Sequence, residues 1–148
     1  MEFTIHTKPV GQMRTRATTR GRFATVYKAP EQSQREQTLA ALLQPHAPAQ
    51  PMQGPLLLYV NAHFAIPASK SKAWKQAALS GDIRHESKPD ADNIAKHLKD
   101  VMTGLGFWGD DKQVADLVVR KWYGTQDKIV IRVEPAQVAP LGFPQVAA

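Results

Sequence analysis

The chain contains no cysteine. That excludes a disulfide framework and any thiolate metal site, and it suits a reducing compartment such as the cytoplasm. Long apolar runs are missing as well. The longest, PLLLYV at 55–60, is the size of a strand and far short of the roughly 20 residues that a membrane span needs. The first residues, MEFTIHTKPV, lack a basic segment followed by an apolar stretch, so no secretory signal is expected and no membrane partner is foreseen. Acidic residues are scarce outside one zone. Every aspartate lies between Asp82 and Asp127, and the first 28 positions set only Glu2 against Lys8, Arg14, Arg16, Arg20, Arg22 and Lys28.

What remains is a basic chain of 148 residues with a formal charge of +6. A domain of this size buries about two-thirds of its unfolded surface, enough for a self-sufficient core. The positive balance favours an anionic partner, nucleic acid being the usual one. A second basic run, Lys70, Lys72, Lys75, Arg84 and Lys88, reinforces the first. The segregation of signs suggests basic arms around an acidic centre.

Periodicity divides the chain into elements. EFTIHT alternates as a strand and leads into a loop or hairpin, with Gly11 and Gly21 as turn points. Leu39, Leu42 and Leu43 predict a helix over about 31–43, followed by a proline-rich connector. LLLYVNAHFAI reads as a strand, and SKSKAWKQAALSG as a short basic helix that stops at Gly81. Ile94, Leu98, Val101 and Met102 predict a helix from Asn93 to Thr103, with Asp92 as its N-cap and Gly104 as its terminal glycine. QVADLVVRKWYG and KIVIRVEP read as two strands joined across TQD as a hairpin. Together these elements predict a single α+β domain, a mixed or antiparallel sheet packed against helices. It occupies 1–134, with a tail at 135–148.

The segment KPDADNIAKHLKDVMTGLGFWGDD carries the chemistry. In an extended segment Asp90 and Asp92 point the same way. The helix carries the chain about 16 Å away, and a loop over 104–110 spans at most about 23 Å, so Asp111 has the reach to return beside the pair. Three carboxylates sharing a small volume repel, by roughly 4 kcal/mol for two charges 4 Å apart, unless a cation lies among them. Oxygen ligands without cysteine or an adjacent histidine suit Mg²⁺, with Mn²⁺ as a substitute. Lys96 lies on the face of Asp92, placed to offset charge developing on a phosphate.

Structural readings fit the same residues. Asp before a helix commonly caps it, Lys96 equally pairs with Asp92 or Asp100 for less than about 1 kcal/mol, and Asp110 and Asp111 equally form a turn. From spacing alone the two readings stand level. His85 and His97 are expected at the surface, and Trp108 in the core.

At these residues the chain closely resembles RusA-like Holliday junction resolvases. The family pattern of Asp-x-Asp-Asn, a lysine four residues after the second Asp, then Asp-Asp-x-Gln-Val, falls on Asp90, Asp92, Asn93, Lys96, Asp110, Asp111, Gln113 and Val114. Family N-termini often read Lys-x-Arg-Pro-Arg after the glycine, where this chain has Gln12, Met13, Arg14, Thr15 and Arg16. The resemblance implies Asp90, Asp92 and Asp111 as metal ligands and Lys96 as the catalytic lysine. It further implies a homodimer that cuts four-way DNA junctions by paired, symmetric, Mg²⁺-dependent nicks. Arg14, Arg16, Arg20, Arg22, Lys70, Lys72 and Lys75 are the expected DNA contacts. Two rival expectations are a non-catalytic architectural DNA-binding module and a metal-dependent nuclease for flaps, single strands or RNA.

Overall fold

Alternation along LLLYVNAHFA makes one strand the organiser of the sheet. A computed structural model of the chain describes residues 1–14 and 16–137; side chains at 16, 18–20, 26 and 27 lie outside that description, as does 138–148, most of the expected tail. Strand β1 spans Glu2–Ile5, β2 Arg16–Arg20, β3 Phe23–Tyr27, β4 Leu56–Ala65, β5 Val114–Gly124 and β6 Lys128–Pro135. Helix α1 spans Pro30–Leu43, α2 Lys72–Ser80 and α3 Ala91–Gly104. The main sheet runs β1-β6-β4-β5, with β4 parallel to β5 and antiparallel to β6, while β2 and β3 form a separate two-stranded sheet. The fold is α+β.

One expected pairing fails. β5 and β6 are not a hairpin, because β4 lies between them. Their short connection crosses the end of β4 instead, where Ile66 N donates to Gly124 O and Ala65 N donates to Asp127 Oδ1. A two-residue period reveals a strand but not its neighbour, and the apolar ten-residue β4 takes both partners.

The core lies between one face of this sheet and helices α1 and α3. Leu56, Leu58, Val60, Ala62 and Phe64 alternate inward from β4, opposite Ile129, Ile131 and Val133 of β6. Ile94, Leu98, Val101 and Met102 supply the apolar stripe of α3, and Leu39 and Leu43 that of α1. Each fully buried aliphatic side chain contributes roughly 1.5–3 kcal/mol. Trp108 is in the core, as expected, its Nε1 donating to Thr103 Oγ1 at 2.7 Å. α2 is capped by Ser71, whose Oγ accepts from Trp74 N, and stops at Gly81 with φ of 88°. Among the described residues no helix is long and apolar enough to cross a membrane.

The histidines depart from expectation. His97 is only 1% exposed, with neither ring nitrogen hydrogen-bonded among the described residues. It sits three residues after Ile94 and four before Val101, so the apolar stripe carries it into the α1–α3 contact. His85 is half-buried, its ring stacked on Phe64 with centroids 3.7 Å apart. Burial lowers the pKa of His97, with Glu36 and Asp100 opposing and Arg35 assisting. His63 and His85 are lowered by burial too.

These shifts set an acid limb of stability. As pH falls through the ordinary value of 6.5, the unfolded chain takes up protons that the folded chain refuses. Stability is therefore full above that value and is lost below it. In urea titrations, the midpoint is expected to drop between about pH 7.5 and about pH 5, and to drop measurably less in His97→Leu. An equal drop in both proteins would assign the acid limb to other groups.

Candidate active site

Helix α3 begins earlier than its apolar period indicates. Ala91 and Asp92 are already helical, and Asp90, not Asp92, is the N-cap, with φ −69° and ψ 148°. The two aspartates therefore do not share an extended segment. The cause is electrostatic: a carboxylate in the first turn suits the partial positive charge of a helix N-terminus, so the helix runs through Asp92. Asp90 makes no side-chain cap bond. Both residues are exposed, and neither carboxylate is engaged in an ion pair with another described residue. Lys96, one turn past Asp92, is exposed as well.

The basic N-terminal segment lies against this helix end. Gly11 is not a turn; it is a point of close approach, where an added Cβ would meet Asn93 Cβ at 3.0 Å and Pro89 Cβ at 3.2 Å. The turn is made by Gly21 alone of the two, at φ 67°. Gln12 N donates to Asn93 O at 3.2 Å, and its side-chain amide to Asp100 Oδ2 at 2.8 Å. Met13 N donates to Oε1 of the buried Gln32, whose own amide donates to Glu36, and Glu36 pairs with Lys28 at 3.0 Å. Both legs of the β2–β3 hairpin are thus tied to the helices.

Two clefts result. One, of about 710 Å³, is lined by Lys8, Arg14, Arg35, Lys88, Asp90 and Asn93 among others. The other, of about 410 Å³, is lined by Gln12, Met13, Arg14, Asn93 and Lys96. Arg14 belongs to both. Arg35 lines the larger cleft but was not among the candidates, because it stands alone on α1 outside either basic run.

The chain folds back after α3, but among the described residues it does not gather Asp111 with Asp90 and Asp92. Gly106, not Gly104, takes the left-handed conformation at φ 78°, and Phe107 N donates to Met102 O at 3.1 Å. Asp110 caps a short 3₁₀ turn, Asp111–Gln113, its side chain accepting from Lys112 N. That hydrogen bond, with the Lys112 ammonium beside it, holds the Asp110 carboxyl below its ordinary value. The Gln113 amide fixes the turn: Oε1 accepts from Gly109 N and Asp110 N, and Nε2 donates to Met52 O and Gly54 O. Asp110 and Gln113 are therefore structural, and Asp111 is what they present.

Asp111 is half-exposed, with Oδ2 3.8 Å from Lys99 Nζ. Lys99 stands about two turns, or roughly 10 Å, along α3 from Asp92, and helical side chains lean toward the N-terminus. The ridge Asp92, Lys96, Lys99 is thus flanked by the 11–14 segment on one side and Asp111 on the other. Among the described residues no group of three or more His, Asp or Glu side chains is close enough to hold a metal ion. The remaining expected contacts are spread out. Lys70 sits over the Trp74 ring, Lys75 donates to Ala68 O, and Lys72 opens α2. Trp74 packs on Tyr123, roughly 30 Å along β5 from the strand end that follows Asp111. Arg22 is exposed beside the hairpin turn; the side chains of Arg16 and Arg20 lie outside the described ones.

Fold and site together define a class: a small α+β domain whose acidic helix end, free of cap bonds, shares a cleft with basic side chains. Residues 6–134 match the family described as Endodeoxyribonuclease RusA, and the chain belongs to that family. YqaN of Bacillus subtilis (strain 168), itself uncharacterized, is 30% identical over 135 residues, which is 90% of this chain and 94% of YqaN. The crossover junction endodeoxyribonuclease rusA of Lactococcus phage r1t is 34% identical over 79 residues, 53% of each chain.

The seat of the basic segment is open to a direct test. In Gly11→Ala the new methyl meets two Cβ atoms that cannot swing aside, so a loss of about 1–3 kcal/mol in urea unfolding is expected, together with weaker DNA binding. Unchanged stability and binding would show that the segment is not held by this contact.

Proposed function

We propose that this protein is a metal-dependent endodeoxyribonuclease that resolves four-way DNA junctions by paired, symmetric nicks, in DNA recombination and repair. The observation that carries the reading is the seating of Arg14 and its neighbours against the Asp90–Lys96 end of α3. Family membership supports it, and so does the crossover junction endodeoxyribonuclease activity for which the phage relative is named.

By chemistry the donors suit Mg²⁺, or Mn²⁺ in its place, although the three carboxylates are not gathered around one point among the described residues. Asp90, Asp92 and Asp111 offer oxygens only, and Asp90 and Asp92 are not consumed by a cap or an ion pair among the described residues. When bound, such an ion supplies Lewis acidity to a phosphate oxygen and lowers the pKa of a coordinated water. The chain's own residues do the rest. Arg14, Arg35, Lys8 and Lys88 hold the backbone phosphates that flank the cut. Lys96 places a fixed positive charge over the scissile phosphate and stabilises the charge that develops on it. Lys99 holds Asp111 at the side of the ridge in the meantime, an exposed pair worth less than about 1 kcal/mol and easily exchanged.

Symmetric cutting of a four-way junction requires two such sites related by a twofold axis, so the working unit is a homodimer. Its substrate is DNA in the cytoplasm, and no membrane enters the reaction.

The test uses a four-way junction with Mg²⁺, the unaltered protein, Asp92→Asn and Lys96→Ala. The unaltered protein is expected to nick opposing strands, while both variants bind the junction and cut at least about a hundredfold more slowly. Binding without any cutting in Mg²⁺ or Mn²⁺ would favour the architectural reading. Equal cutting of single strands, flaps or RNA would favour the other nuclease reading.

Salt supplies an independent check. If about six phosphates are neutralised, affinity is expected to fall roughly a thousandfold between 50 and 200 mM salt. A flat response in a filter-binding titration would rule out backbone recognition by the basic cleft.

A further inference from the structure

The hairpin β2–β3 pairs with no other strand among the described residues, and just past its turn stands an exposed aromatic residue. Phe23, the first residue of β3, is 81% exposed, more than any other large apolar side chain described. A phenyl ring left in water gains nothing from folding, and an isolated two-stranded ribbon is itself only marginally stable. Next to it stands Arg22, also exposed, after a turn at Gly21 with φ 67°. No acidic residue occurs from Phe3 to Pro30, so the whole arm is free of negative charge.

The arm is also aimed. One leg leaves the cleft shared by Arg14, Asn93 and Lys96, and the other returns through the Lys28–Glu36 pair to α1. Arg20 lies opposite Phe23 in the ladder, four residues beyond Arg16. Those four steps carry the tip roughly 13 Å past the base of the arm, close to four nucleotide steps at about 3.4 Å each. An apolar ring presented amid cations, at a short distance from a cleft lined by basic side chains, suits a nucleobase with an unstacked face beside a phosphate.

We infer that Phe23 is a base-stacking wedge that seats on the branch point of the DNA, with Arg22 on the adjoining phosphate. This rests on the junction reading above. At a branch point the base pairs already lack one stacking neighbour, so the ring replaces lost stacking there, whereas within continuous duplex it must first break a stack. The wedge therefore discriminates junction from duplex, and the length of the arm sets how far from the branch the Lys96 end of α3 meets the backbone.

The experiment measures junction and linear-duplex affinity, cut position and sedimentation for the full chain, for Phe23→Ala and for Phe23→Trp. Phe23→Ala is expected to lose about five- to a hundredfold in junction affinity, with duplex affinity unchanged and cuts spread over more positions. Phe23→Trp is expected to retain the preference. An unchanged junction-to-duplex ratio in Phe23→Ala, with cutting intact, overturns the wedge and leaves the resolvase reading standing. A shift in oligomeric state with the ratio preserved also overturns it, the ring then packing on a second copy. If the unaltered protein neither prefers nor cuts junctions, the resolvase reading fails and the wedge with it.

Discussion

The structure turns on the contact between the 8–14 segment and the start of α3. Gly11 allows an approach so close that an added Cβ would crowd Asn93 and Pro89, and Gln12 then bonds the helix at Asn93 and Asp100. Without this seat, the basic residues ahead of the hairpin would be a solvated loop, and the acidic end of α3 an ordinary surface. With it, cations and carboxylates of one small chain face the same cleft without neutralising each other. Arg14 and Asp90 line the same cleft, yet they form no ion pair with each other among the described residues. Charge left uncompensated in this way marks a cleft as a candidate functional site.

The second half of the site depends on a different device. The backbone at Asp111 is set by the bonds of Asp110 and Gln113, which fold the three residues into a short turn, and its side chain adds only the exposed pair with Lys99. Gln113 bonds both to the backbone just before it and to the connector ahead of β4. Repeated aspartates thus have unequal work: one caps, the next is presented. The division follows from geometry, since one short turn needs one cap.

Much of this was legible in the sequence, for physical reasons that also mark where legibility stopped. Ile94, Leu98, Val101 and Met102 announce α3, and Leu39 and Leu43 announce the end of α1, because burial imposes the helical period on apolar residues. The same stripe included His97, and its burial was readable had the polar residue been taken as part of the period. The neighbours of β5 and β6 were not readable, because alternation specifies a face and says nothing about a partner. Gln32 and Arg35 were not readable either. They face the 8–14 segment from the polar half of α1, and only the tertiary contact gives them a role. Among the candidate residues, Asp90, Asp92, Lys96 and Asp111 were named from spacing and resemblance. That Asp111 meets α3 at Lys99, two turns from Asp92, was not in the spacing.

The Gln113 clamp carries a consequence for the order of assembly. Its acceptors, Met52 O and Gly54 O, lie 61 and 59 residues upstream. They come within reach only when β4 and β5 have zipped side by side, and distant parallel pairing is among the slowest contacts for a chain to make. A chain still emerging, or one that has collapsed without completing its sheet, leaves Asp111 without a perch. Asp111 therefore takes its place only after the two longest strands of the sheet have paired, whereas Asp90 and Asp92 need no more than their own helix.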